Sequence, residues 1–144
     1  MQVNDIMTRY PACCGPNETI EAAAKLMAER SVGSIPVLNE AEEPIGVVTD
    51  RDICCGAVAE GKGGDTPVSE VMTTDVLTVS QDEDVSSCCK KMEQRQVRRV
   101  VVTDEDGKCC GIVAQADIAR DASGEETGDL VQEISRPSSK SGCC

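Results

Sequence analysis

The chain has 144 residues, enough for one domain or two small ones sharing a core, and carries 26 acidic against 14 basic side chains, a formal charge of −12. That acid excess disfavours nucleic acid and anionic membrane as partners, because phosphate contacts supply most of such affinity; it leaves room for one small anion in a local basic pocket. Phe and Trp are absent and Tyr10 is the sole aromatic, so Val, Ile, Leu, Met, Ala and Cys must fill the interior. These bury less area per side chain than rings do, so a partner surface that adds burial is expected. Met1 to Met7 has neither a basic start nor a long apolar run, so no secretory signal is expected. No run approaches the ~18 apolar residues of a membrane span. The expected setting is the cytoplasm.

Residues 1–60 read as a first unit. It opens on Ile6-Met7-Thr8 and an irregular stretch. A helix is predicted from Thr19 to Arg30, with Ile20, Ala23, Ala24 and Met27 on one face. Ser34 to Leu38 reads as a strand, "NEAEEP" as an acidic turn, and Ile45 to Thr49 as a second apolar strand. A further helix starts near Asp50. The Gly-rich stretch "EGKGGDTP" reads as a linker, centred on 61–67.

The same order returns over 68–122. Val71-Met72-Thr73 leads to a helix over roughly Gln81 to Arg95, with Val85, Cys88, Cys89 and Met92 in phase. Ser80 and Glu83 fit a capping box at its start. Strands are predicted at Arg99 to Thr103 and Cys110 to Ala114 around the turn "DEDG", then a helix from Gln115. Asp129 to Ser135 predicts a short helix within an extension, 123–136, and 137–144 reads as a disordered polar tail. The shift that carries Met7 onto Met72 also carries Asp52 onto Asp117, so the chain is an ungapped tandem duplication. Alternating strands and helices make the class α/β or mixed α+β.

The residues that repeat are "DIMT" and "EVMT", "ETIEAAAKLMAERSVGSIPVL", "GVVTDRDI", "VRRVVV" and "GIVAQADIAR". This pattern resembles the tandem CBS-domain pair, or Bateman module, over about residues 2 to 122. With "DLVQEISRP" after the second copy it is similar to small stand-alone CBS-pair proteins, including the hypoxic-response type. The resemblance implies two β-α-β-β-α repeats packed about a pseudo-twofold axis, with two clefts between them, and commonly a homodimer. It also implies an adenosine-containing regulatory ligand such as AMP, ADP, ATP or S-adenosylmethionine.

Within that frame "GVVTDRD", Gly46 to Asp52, is the principal candidate site. A carboxylate can accept two hydrogen bonds from a ribose diol, and free N–H groups at a helix start suit a phosphate. The family pattern carries over Thr49 to the phosphate and Asp52 to the ribose. Gly46 would let backbone approach closely, and Ile35 and Pro36 would border the adenine. Arg51 is a further, weaker candidate. Thr49-x-x-Asp52 also has the form of a capping box, and the residues alone leave both readings open. In the second repeat Asp117 is kept, but Ala114 replaces the Thr and Val101 the Pro. Arg98 and Arg99 could supply cation there, or one of them could be a rim charge paired with a carboxylate such as Glu93. One competent first cleft and one weakened second cleft are expected.

Ten cysteines fall in five adjacent doublets, without the C-x(2–4)-C spacing of zinc sites and with no His in the chain. None faces a doublet in the other repeat, so most are expected to be packing substitutes; Cys143 and Cys144 are the exception, free to oxidise. The leading expectation is a non-enzymatic sensor acting through its homodimer or a separate effector protein. A ligand-free structural dimer and a thiol-based redox protein are the alternatives. Neither a nucleophile–base pair nor a phosphate loop is visible.

Overall fold

The computed structural model describes residues 1–121. In chain order the elements are β1 (Thr8–Arg9), α1 (Ile20–Arg30), β2 (Ser34–Leu38), β3 (Pro44–Thr49), α2 (Asp50–Ile53) running into a π-helical turn (Cys54–Val58), β4 (Thr78–Ser80), α3 (Val85–Arg95), β5 (Arg99–Thr103), β6 (Cys109–Ala114) and α4 (Gln115–Asp121). The class is the mixed α/β expected. The extension at 123–136 and the tail lie outside the described residues.

Two compact units form, and neither is a simple half of the sequence. One joins Met1–Tyr10 to the second repeat from Leu77 onward; the other is Pro11–Val76, which carries the start of the second repeat back onto the first. The exchange is reciprocal, and several of its bonds have counterparts. Thr8 pairs with Ile112 of β6, and Thr73 bridges to Val47 of β3. Thr73 is the repeat counterpart of Thr8, and Val47 that of Ile112. Val3 N donates to Glu83 O at 2.8 Å, and Val68 N to Glu18 O at 2.8 Å.

Local chemistry explains why these segments cross over. The first N–H groups of a helix lack partners within it. In α1 the Thr19 hydroxyl accepts from Ala22 N, and Thr66 O accepts from Ile20 N at 2.9 Å. The Gly-rich linker is therefore tied to the start of α1. In α3 the matching acceptor is Met1 O, bonded by Val85 N at 3.0 Å.

The helix predicted from Gln81 begins instead at Val85, and Asp84 caps it without a side-chain bond. Ser80 is held in β4 opposite Thr103, and its hydroxyl accepts from Asp82 N in a local turn. Glu83 is turned to Lys91 (2.7 Å) and Ser87 (2.7 Å). Burial would raise its carboxyl, but those bonds outweigh burial and hold it below the ordinary value. Sequence pattern could not weigh the strand's claim on Ser80.

In the second-repeat unit the sheet order is β1-β6-β5-β4, with β4 parallel to β5 and the other pairs antiparallel. In the first-repeat unit β2 and β3 form an antiparallel pair, joined by bridges at Cys14 and Thr73. Each core is aliphatic and sulfur-containing. Val3, Ile6, Val100, Val113 and Ile118 pack with Cys88, Cys89 and Met92 in one. Ile20, Met27, Ile35, Val37 and Val48 pack with Cys14 in the other. Tyr10 is 84% exposed, so no ring enters either core.

Candidate functional site

At the β3–α2 junction the Thr49 hydroxyl accepts from Asp52 N at 3.0 Å, and the Asp52 carboxylate accepts from Thr49 N at 2.9 Å. This is a complete capping box. Both side chains are half-buried, and each makes one of these two cap bonds. Arg51 is exposed and also partnered. Ile35 and Pro36 lie buried in β2, with Ile35 in the first-repeat core.

Gly46 does provide close backbone approach, and its neighbour is the crossed-over segment. An added Cβ would lie 2.8 Å from Met72 Sδ and 3.0 Å from Thr73 O. A Cβ added to Gly111, its counterpart, would lie 2.5 Å from Met7 Sδ and 3.1 Å from Thr8 O. The glycines in the repeated frame therefore admit the Met-Thr segments.

The second repeat presents different chemistry. Asp117 is 8% exposed and its two oxygens accept from Ala114 N (2.8 Å) and the Arg120 guanidinium (2.9 Å). Beside it opens a hollow of about 310 Å³ lined by Arg98, Arg99, Ala114, Gln115, Ala116 and Ala119. That volume lies at the small end of ordinary ligand sites. The strand register sets Arg99 opposite Ala114, and Gln115 N bonds Arg98 O at 2.9 Å, so sheet and helix fix the floor. Both arginines are exposed. Among the described residues neither guanidinium makes an ion pair or hydrogen bond, with Glu93 or any other group.

At the matching place in the first repeat stand Gly33, Ser34, Thr49, Asp50, Arg51 and Cys54. The backbone bond is the same, Asp50 N to Gly33 O at 2.9 Å. The charge is not: a Cβ on Gly33 would lie 3.1 Å from Asp50 Oδ2. A carboxylate stands where the second repeat carries the root of Arg98. Alignment exposed this pair of positions, but not which charges would find partners.

The doublets divide by element. Cys14 is buried, while Cys13 is half-buried and donates from its thiol to Pro11 O. Cys88 and Cys89 both enter the core. Burial pushes the Cys88 thiol up to about 12 and Cys14 up to about 11, with Cys89 and Glu18, respectively, adding to the shift. Burial and Asp104 raise Cys110 as well. These thiols stay protonated and unreactive near neutrality. Cys54 is exposed. Among the described residues no group of three or more Cys, Asp or Glu could hold a metal ion, and no helix is long and apolar enough to cross a membrane.

Two copies of one strand–helix–strand–strand–helix frame, each completed by a segment of the other, define the class. The CBS domain model matches residues 3–55 and 68–124, and the chain belongs to the CBS-domain family as a tandem pair. It is similar to the CBS domain-containing protein YhcV of Bacillus subtilis, 39% identical with 92% of this chain and 94% of that one covered. Hypoxic response protein 1 of Mycobacterium tuberculosis is 34% identical, with 92% and 93% covered. A crystal structure of Hypoxic Response Protein I with two coordinated zinc ions matches with a TM-score of 0.77 and 33% identity, over 85% of this chain and all of that one. The CBS domain pair of protein MJ0100, in complex with 5′-methylthioadenosine and S-adenosyl-L-methionine, matches at 0.75 and 30% identity over 83% and 94%. CBSX2 in complex with AMP matches at 0.72 and 25% identity over 84% and 95%.

Proposed function

We propose that this CBS pair is a non-enzymatic sensor whose regulatory ligand is an adenosine-containing compound, held at the hollow of the second repeat. The observation that carries the reading is the pair of guanidiniums, Arg98 and Arg99, which make no ion pair or hydrogen bond among the described residues and stand at a small hollow walled by alanines. The AMP, methylthioadenosine and S-adenosylmethionine bound by CBSX2 and MJ0100 support the ligand class. Alanine walls leave width for a base, and with no aromatic at hand the base would be read by aliphatic contact and backbone bonds. Asp117, beside the hollow, would meet a ribose diol by exchanging its bond to Arg120. A homodimer, a cytoplasmic setting and a separate effector protein belong to the same proposal. Regulation then requires that the ligand bind two states of the assembly unequally.

The test is mass spectrometry of small molecules released from freshly purified protein, with thermal shifts in AMP, ATP and S-adenosylmethionine. An adenylate in the released fraction and a shift lost in R98A/R99A are expected. A shift fully retained in that variant would place the ligand elsewhere. No release and no shift across the panel would leave a structural dimer as the better reading.

A further inference from the structure

We infer that the second-repeat hollow selects its ligand by charge, so that the chain takes one phosphorylated adenosine per copy, there and not at the matching place in the first repeat. This rests on the nucleotide reading above and adds which adenosine compounds enter and where. In this chain of 26 acids and 14 bases some cations meet a carboxylate and others do not. Lys25 pairs with Glu21, Lys91 with Glu83, and Arg120 with Asp117 and Asp121. Among the described residues Arg98 and Arg99 make no ion pair, although they are adjacent and repel one another, and they are the cations that line the hollow.

The rest of the lining, Ala114, Gln115, Ala116 and Ala119, carries no charge. The Asp117 carboxylate already has a cation of its own, Arg120, so its charge is largely offset there. A phosphate between the guanidiniums removes their repulsion and accepts charge-assisted, fork-shaped hydrogen bonds. A sulfonium would instead bring a third positive charge to the same place. In the first repeat the corresponding positions carry Gly33 and Ser34, with the Asp50 carboxylate over Gly33. Arg51 there already has a partner. An anion would meet a carboxylate where the second repeat offers a guanidinium.

Calorimetry on the full chain with AMP, adenosine, 5′-methylthioadenosine and S-adenosylmethionine tests this, with inorganic phosphate run in parallel by thermal shift. One AMP per chain is expected, bound about tenfold or more tighter than adenosine or methylthioadenosine, with S-adenosylmethionine weakest. The advantage of AMP falls with added salt, vanishes in R98A/R99A and survives largely in R98K/R99K. Both arginines are exposed, so the variants fold, which their unliganded melting checks. Equal binding of AMP and adenosine, an AMP advantage untouched in R98A/R99A, or two AMP per chain would overturn charge selection while leaving the nucleotide reading standing. Arginine-dependent stabilisation by phosphate, with no nucleoside bound, would keep anion selection and remove the adenosine. Silence from both would remove the two together.

Discussion

Removing residues 1–10 tests the reciprocal exchange most severely. Val3, Ile6 and Met7 are 0, 5 and 8% exposed within the second-repeat unit. Each such side chain contributes about 1.5–3 kcal/mol by burial, so the three together supply about 5–9 kcal/mol as an upper estimate. The same cut removes Met1 O from the start of α3, the bonds of Val3 N and Asn4 N to Glu83 O and Gln81 O, and the β1 edge of the sheet. Domains are stable by only about 5–15 kcal/mol in all, so the second-repeat unit is expected to lose its fixed packing. Thiol labelling reports on each unit separately. In the intact chain Cys88 and Cys89, 0 and 2% exposed, and Cys14, 6% exposed, all react slowly. In the truncated chain Cys88 and Cys89 label fast while Cys14 keeps its protection. A truncated protein that shields Cys88 and Cys89 as before, with urea stability within about 1 kcal/mol of the intact chain, would refute the exchange.

Gly111→Ala forces a Cβ against Met7 Sδ and Thr8 O; a loss of about 1–3 kcal/mol in urea unfolding is expected, as for other overpacked sites. Thr49→Ala removes the cap hydroxyl and lowers stability by about 1 kcal/mol, while calorimetric affinity for AMP stays within about twofold of the parent, since about 0.4 kcal/mol is twofold. Alkali destabilises the fold through its buried thiols. An unfolded thiol loses its proton near 9.0, whereas Cys14 and Cys88 hold theirs to about 11 and about 12. That stability is fully present below pH 9 and drains away as pH rises toward those values. Chemical unfolding from pH 8 to 10.5 should show a shallower decline in Cys88→Ala than in the parent; equal slopes would place the thiols outside the linkage.

Much of the fold was legible in the sequence because its signals are local or periodic. The strands Ser34–Leu38 and Arg99–Thr103 lie where the apolar runs put them, and α1 starts after Thr19 because the hydroxyl cap is encoded in place. The start of α3 was misplaced because Ser80 belongs to a sheet whose parallel partner, Thr103, lies beyond the whole of α3. The exchanged segments were visible as a repeat, yet the offset between copies says nothing about which copy a Met-Thr segment packs against.

The candidate site was legible only in part. The Thr49–Asp52 pair was readable as a box, and the geometry uses it as one. Arg98 and Arg99 stood out as cations, but only folded geometry shows that carboxylates meet Lys91 and Arg120 and that these two make no ion pair among the described residues. Gly46 was readable as a point of close approach, but the segment that approaches it comes from the other repeat, and no local signal names it.

A crystal structure of the full chain grown with AMP tests the central claim most directly. Density for the nucleotide over Ala114 and Ala119, with its phosphate between Arg98 and Arg99, is the predicted result. Phosphate density at Thr49 and Asp50, with the arginine hollow empty, would contradict it.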